Sequence, residues 1–302
     1  MKTRRTPIST LCAAMMVTVL VVLGLAGSAF GKLTGELKNF EQCPYANDKV
    51  GRCFYATTTG GEVALGSKVV PITNPVVIQG GYGSVGKDEF ATKFFAAKNG
   101  VTLAEVPQPV PGGLAGVVPP DKSSSLVKAA IAFFFENGLT GVNATLELAK
   151  PASAIRISEN HLAEETGIAL EMPIKIHLEN PFLGSECYVG SSSSPIIWQL
   201  TTGTTAPPAP NTPISGKAGE LELLEGGATL KLVGTELVDN AWPAPAASGC
   251  GGFLSFLIDP MIGRIASLPA PASANTAVLE STIYEVPAAT VKLNNEKPAD
   301  NG

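Results

Sequence analysis

Residues Gly167–Thr205, GIALEMPIKIHLENPFLGSECYVGSSSSPIIWQLTTGTT, decide the fold. From Ile168 to Leu178 the side chains alternate without a break. Ile168, Leu170, Met172, Ile174, Ile176 and Leu178 fall on one side, and Ala169, Glu171, Pro173, Lys175, His177 and Glu179 on the other. Successive side chains of a strand leave opposite faces of the pleat, so this pattern means a half-buried β-strand. A helix would scatter the same apolar residues around its circumference. Pro173 removes one ladder donor, which predicts an edge strand or a bulge. Asn180-Pro181 ends the run, Cys187 follows, and Ile196, Ile197, Trp198 and Leu200 resume it. The expected unit is a hairpin-like pair with a long connection, tied by a disulfide to a distant part of the chain.

Outward from this pair, CFYATT (53–58), EVALGSKVVPI (62–72) and PVVIQGG (75–81) read as three short strands, with Gly66-Ser67 as a tight turn. Val142–Leu148, Ala154–Ser158 and Thr276–Val286 add strands. LELLEGGATLKLVG (221–234) reads as a hairpin with Leu221, Leu223, Leu230 and Leu232 on its inner face. Lys32–Phe40 reads as a first strand or lead-in. Three helices are expected. Lys87–Asn99 has Asp88 as its cap and Phe90, Phe94 and Ala97 on one face. Ser125–Asn137 is apolar nearly all round, as in buried helices. The third lies within Phe253–Leu268, with Asp259 as N-cap and Pro260 at the first helical position. Val106–Pro120 and Thr201–Gly219 are Pro- and Gly-rich connectors. The expected fold is mainly β, an antiparallel β-sandwich or open barrel with two or three inserted helices. It forms one domain over 32–293, followed by a polar, disordered tail over 294–302.

The N-terminus has the form of an export signal. Lys2, Arg4 and Arg5 precede an uncharged apolar run, Leu11–Leu25, and small residues place cleavage near 29–31. Retention of the run as an anchor is the alternative. Removing those three cations takes the net charge from −5 to −8. No basic cluster remains, so nucleic acid and anionic membrane surfaces are poor expectations, because both need clustered Lys and Arg to displace counterions. Cys43, Cys53, Cys187 and Cys250 follow the signal. An even count in an exported chain reads as two disulfides. Of the three pairings, proximity favours Cys43–Cys53 with Cys187–Cys250. Zinc is disfavoured, because thiolate ligands come as close C-x-x-C pairs and none exists here.

Gly81-Tyr82-Gly83-Ser84-Val85-Gly86 matches the G-x-G-x-x-G turn of dinucleotide sites. A Pro/Gly connector follows where such a site needs a crossover and a parallel strand. A glycine turn requiring positive φ is the better account. His161 and His177 are the only histidines. No G-x-S-x-G turn raises a serine beside them, so surface positions are expected and a hydrolase using either ranks low. Glu159, Glu164 and Glu165 lack the spacing of a calcium loop. No catalytic residue, metal ligand or cofactor is assigned.

The segments CYVGSSSSPIIWQLTTGTTAPPAPNTPISG (187–216), FEQCPYANDKVGRCFYATTTGGE (40–62) and SGCGGFLSFLIDP (248–260) resemble an uncharacterised family of secreted proteins from high-GC Gram-positive bacteria. The resemblance runs over most of the mature chain. It implies export and framework roles for Cys43 with Cys53 and Cys187 with Cys250. It carries no activity.

These readings lead to an exported, disulfide-stapled β-protein, secreted or held at the cell envelope. It would bind a surface or extracellular partner or play a structural role, without catalysis. The alternative is a carrier for an apolar small molecule or lipid, with Phe94, Phe95, Phe133, Phe134 and Phe135 lining a cavity between helix and sheet.

Overall fold

In the computed structural model, residues 33–84, 92–115, 124–126, 128, 140–224 and 227–296 are described. The alternating stretch is strand β8 (Leu170–Glu179). Leu170, Met172, Ile174 and Ile176 are buried, as the pattern requires. It is not an edge strand. β6 (Asn143–Leu148) pairs with residues 174–179 and β7 (Arg156–Ile157) with 170–171 on one side. β10 (Ile196–Leu200) and β9 (Tyr188–Val189) pair on the other. The Pro173 carbonyl accepts the Ala149 N–H at 3.0 Å, on the side of β6. A residue's N and C=O point the same way in an antiparallel ladder, so the missing donor also faces that side. There β6 has just ended and β7 has not begun, and a central strand tolerates its proline. β5 (Gln108–Pro109) and β13 (Ala247–Ser248) complete this sheet in the order β13-β9-β8-β6-β5, with β7 and β10 also on β8.

The second sheet is built on β1 (Arg52–Leu65). Two of the expected short strands are here one continuous run, which passes its glycines by a bulge between Thr58 and Gly60. Gly61 has φ +92°, and a Cβ there would strike the Val278 carbonyl oxygen. β14 (Thr276–Pro287) and β3 (Val76–Ser84) flank β1. β2 (Lys68–Pro71) turns back on it through Gly66-Ser67. The order is β11-β12-β14-β1-β3-β4, with β4 over Thr92–Ala96, β11 over Glu220–Leu224 and β12 over Thr229–Asp239. Both sheets are antiparallel and face each other across one apolar core. Trp198 and Trp242 meet edge to face in it at 6.0 Å. The expected β-sandwich with a few helices is the observed architecture. One corner is laced by Thr201–Val238 and Lys217–Glu236 bridges, the other by the Thr92 hydroxyl donating to the Ile157 carbonyl.

Several local expectations are corrected. Lys87–Asn99 does not form a helix where it is described: β4 pairs with β3, setting Phe94 opposite Tyr82. Tertiary pairing overrides the helical spacing. Residues 35–40 form a 3-10 helix, not a strand. Ser158, the last residue of the strand expected over Ala154–Ser158, caps α1 (Glu159–Glu164) by accepting from the His161 N–H. The helix expected to begin at Asp259 is α2 (Ser255–Ala266), with Pro260 inside it. Asp259 instead accepts the N–H groups of Gly249 and Cys250 at 3.2 and 2.8 Å. Leu221 and Leu223 of the β11–β12 hairpin are exposed, because β11 is the outer strand of its sheet. α3 (Ala288–Glu296) covers the start of the expected polar tail. The N-terminal apolar run, residues 297–302, and Phe133, Phe134 and Phe135 lie outside the described residues.

Both disulfides pair as proximity favours. Cys43–Cys53 sits in a second, smaller cluster on the outer face of the β1 sheet, with Leu37, Phe40, Val286 and Val291. Cys187–Cys250 is fully buried and joins the lead into β9 to the turn before α2.

Candidate functional site

The sandwich is not filled throughout. An inner cavity of about 40 Å³ lies between the sheets, walled by Phe54, Ile78, Leu170, Met172, Trp198 and Ile283 among others. An outer cavity of about 80 Å³ adjoins it, and Ile72 and Leu146 belong to both walls. Its other residues come from both sheets and from α2: Val63 and Leu65 of β1, Ala144 of β6, Ile176 and Leu178 of β8, and Ile262, Ile265 and Ala266. Lys68, Val70, Leu114, Leu178 and Ile265 are half-buried, which brings this second space to the surface. Apolar cavities in proteins stay dry, and one of about 150 Å³ takes up benzene. The space here is of the size for a small apolar group or a short stretch of alkyl chain.

The hydroxyls and the amide of the wall are engaged. Thr58 and Ser281 hydroxyls hydrogen-bond each other at 2.9 Å across β1 and β14. The Gln108 carbonyl oxygen accepts from the Thr73 and Asn74 N–H groups, and its amide donates to Asn74 and Val106 carbonyls. Trp198 differs: among the described residues its buried indole N–H has no acceptor. Among the described residues, the other buried and unpartnered side-chain atoms are His177 Nε2, Asn240 Oδ1 and Glu285 Oε1, and none belongs to a cavity wall.

Phe94 and Phe95 sit on adjacent positions of β4 and so on opposite faces. Phe94 is buried in the main core, edge-on to Phe54 at 6.0 Å. Phe95 packs against the small cluster around Cys43–Cys53. Neither is in a cavity wall, and the strand does not bring them together. The residues that do line the space are mostly aliphatic side chains from segments far apart in sequence. Their only sequence signal is strand alternation, which marks an inward face without saying that the inside is unfilled.

A separate polar cluster closes the far end of β1. The Tyr82 hydroxyl lies 2.6 Å from Glu159 Oε1 and 2.9 Å from Glu285 Oε2. Arg52 pairs with Glu159 at 3.0 Å. Burial, then the charge of Glu159, pushes the Glu285 carboxyl up to about 7, against the Tyr82 hydrogen bond and Arg52. Burial and the two carboxylates push the Tyr82 phenol well up. One phenolic proton serves one carboxylate. With Glu285 as the acid, Glu285 donates to Tyr82 and Tyr82 to Glu159, and every proton has an acceptor.

The remaining candidates are apart. His161 Nδ1 meets the Ile168 carbonyl at 2.9 Å beneath Gly167. His177 stacks on Tyr188 at 4.5 Å on the outer face of β8, 3.3 Å from Glu147. Glu165 accepts the Ala218 N–H, away from Glu159. No group of three metal-ligating side chains occurs among the described residues. The Gly81–Gly86 motif is not a turn where it is described: β3 runs straight through Ser84. Gly83 is required for close approach, since a Cβ would run into the Lys49 carbonyl oxygen. The chain matches no family model, no curated protein and no solved structure, and its function is read from this geometry.

Proposed function

We propose that the chain is an exported, disulfide-stapled binding protein that carries an apolar small molecule or acyl chain between its two sheets. The observation that carries this reading is the pair of adjoining cavities, aliphatic on nearly every side and reaching the surface beside α2. A core of this size would bury the same side chains more favourably if it closed on itself, since void surface forfeits contacts. The wall's hydroxyls and amide are already bonded, so the site offers apolar contact, the Trp198 indole and, near its mouth, the Lys68 ammonium. Trp198 suits a ligand with a single acceptor near its inner end. The two disulfides agree with an oxidising compartment outside the cytoplasm.

Native mass spectrometry of the chain from Lys32, taken from an exporting host without refolding, tests this. The expected result is a stoichiometric adduct that denaturing conditions release. Ala144→Phe places a ring in the outer cavity from a half-buried wall position. It is expected to lower affinity for a fluorescent fatty-acid probe about tenfold or more, at a stability cost of about 1–3 kcal/mol. A chain that arrives empty and takes up no such probe overturns the reading.

A further inference from the structure

β2 presents its residues the wrong way round for an apolar core. Its register with β1 sets Val70 opposite Val63 and Lys68 opposite Leu65. Val63 and Leu65 are buried on the inner face, and cross-strand partners share a face, so Lys68 points between the sheets. Val69 is the residue left outside, and it is 46% exposed. The turn that carries Lys68 is pinned over the end of α2: the Ser67 N–H and hydroxyl donate to the Ala266 and Ile265 carbonyls, both at 3.0 Å. Lys68 is thereby held in the wall of the outer cavity, half-buried at its mouth. A lysine stem lies along apolar surface and carries its ammonium to water.

That ammonium is alone in its site. Of the residues lining the two cavities, Lys68 is the only charged one. Among the described residues, no carboxylate oxygen lies within 4.0 Å of it. The acids of this part of the fold are engaged or turned away. Asp259 accepts the Gly249 and Cys250 N–H groups toward the start of α2, and Glu186 lies exposed beside the same turn. Glu62 alternates onto the outer face of β1, and Glu105 is exposed in the connector before β5. Arg264, exposed in the last turn of α2, is a further cation at the end where Lys68 sits. The net negative charge is spread over the chain, and at physiological salt charges beyond about 8 Å are largely screened. The mouth's own cation therefore decides what enters. An apolar wall with one unpaired cation at its opening selects an apolar chain that ends in an anion. The reverse orientation would bury the anion beside Trp198, where a single indole donor replaces its water.

We propose that the occupant is an alkyl-chain carboxylic acid, bound tail first, with its carboxylate on the Lys68 ammonium. This rests on the carrier reading and adds to it the head group, the orientation and the residue that selects them. One ammonium balances one carboxylate, whereas a phosphate monoester would bring more charge than Lys68 offsets.

The test is calorimetric titration of the Lys32–Gly302 chain with octanoate and with 1-octanol, after any native occupant has been stripped on a hydrophobic resin without unfolding. The two ligands share a chain length and differ in head group, and the alcohol is the more apolar. Octanoate is expected to bind about tenfold or more tightly than octanol. Lys68→Met keeps an apolar side chain in the wall and removes the charge, so it should cost octanoate about tenfold or more and leave octanol binding unchanged. Lys68→Arg should keep the preference for the acid. Equal binding of acid and alcohol by the wild type, or an equal loss of both in Lys68→Met, overturns the head-group assignment and leaves the carrier reading standing. Binding of neither ligand nor of the fluorescent probe sinks both. An inward lysine on a short strand with a free edge also guards against sheet-to-sheet pairing. If Lys68→Met dimerises in sedimentation velocity while its octanoate affinity is unchanged, guarding is the role of Lys68 and the proposal fails.

Discussion

β1 runs the length of the sandwich, and its two ends are built on opposite principles. At Arg52 the chain closes tightly: a disulfide, the Tyr82–Glu159–Glu285 cluster and the glycines of β3, Gly80, Gly81 and Gly83, where a Cβ has no room. At Leu65 the sheets part over an aliphatic space, bounded by a helix with phenylalanines turned to solvent. Polar groups buried in low dielectric demand fixed partners, so the first end is specific and stiff. The second holds together by non-directional contacts that another apolar body can replace. The closed end gives the open end something rigid to be open against.

Removing each end's disulfide sharpens this contrast, and it is the largest effect expected. Cys187–Cys250 closes a separation of 63 residues and Cys43–Cys53 one of 10. Loop entropy then predicts a loss of about 4 kcal/mol for paired serine substitutions at the open end, and about 3 kcal/mol at the closed end. Urea unfolding of both variants measures it. A larger loss at the closed end would mean that the open end is already loosely held in the native state.

The contrast was only partly legible in the sequence. Strand alternation gave β8 its inward face, and cysteine proximity gave both bridges, because each depends on local spacing alone. The place of Pro173 in a central strand was hidden, because it depends on where β6 stops and β7 starts. Phe94 was misread because F-x-x-x-F spacing at Phe90–Phe94 fits a helix equally well, and only pairing with Tyr82 decides. Glu285 sits in a strand of ordinary alternating type. Nothing local shows that its neighbours across two other elements are Tyr82 and Glu159.

Glu285 supplies the second test, at the closed end. Its carboxyl is at about 7 in the folded chain, against an ordinary value of 4.5. The folded state therefore holds the proton more tightly. That stabilisation is complete below about pH 4.5 and is lost as the pH rises through about 7, a fall of roughly 3 kcal/mol. Burial raises Asp239 as well, in the same sense, so the wild-type slope is not from Glu285 alone. Glu285→Gln mimics the protonated form. It should flatten the slope between pH 5 and 8 and exceed the wild type in urea midpoint at pH 8, while matching it near pH 4.5. An unchanged slope would show that Glu285 is ionised throughout and that Arg52 reaches it as well as Glu159.

Asp259 is the open end's counterpart, and the smallest effect is expected there. Its carboxylate also turns inward, but onto backbone donors and within reach of water. Asp259→Ala leaves the Gly249 and Cys250 N–H groups without that acceptor, at a cost of about 1–2 kcal/mol. Hydrogen exchange should quicken at those two amides and little elsewhere, since the Cys187–Cys250 bridge still holds the turn. Faster exchange along the whole of α2 would mean that Asp259 anchors the helix as well as the turn, and that the open end is held by directional bonds beyond its apolar contacts.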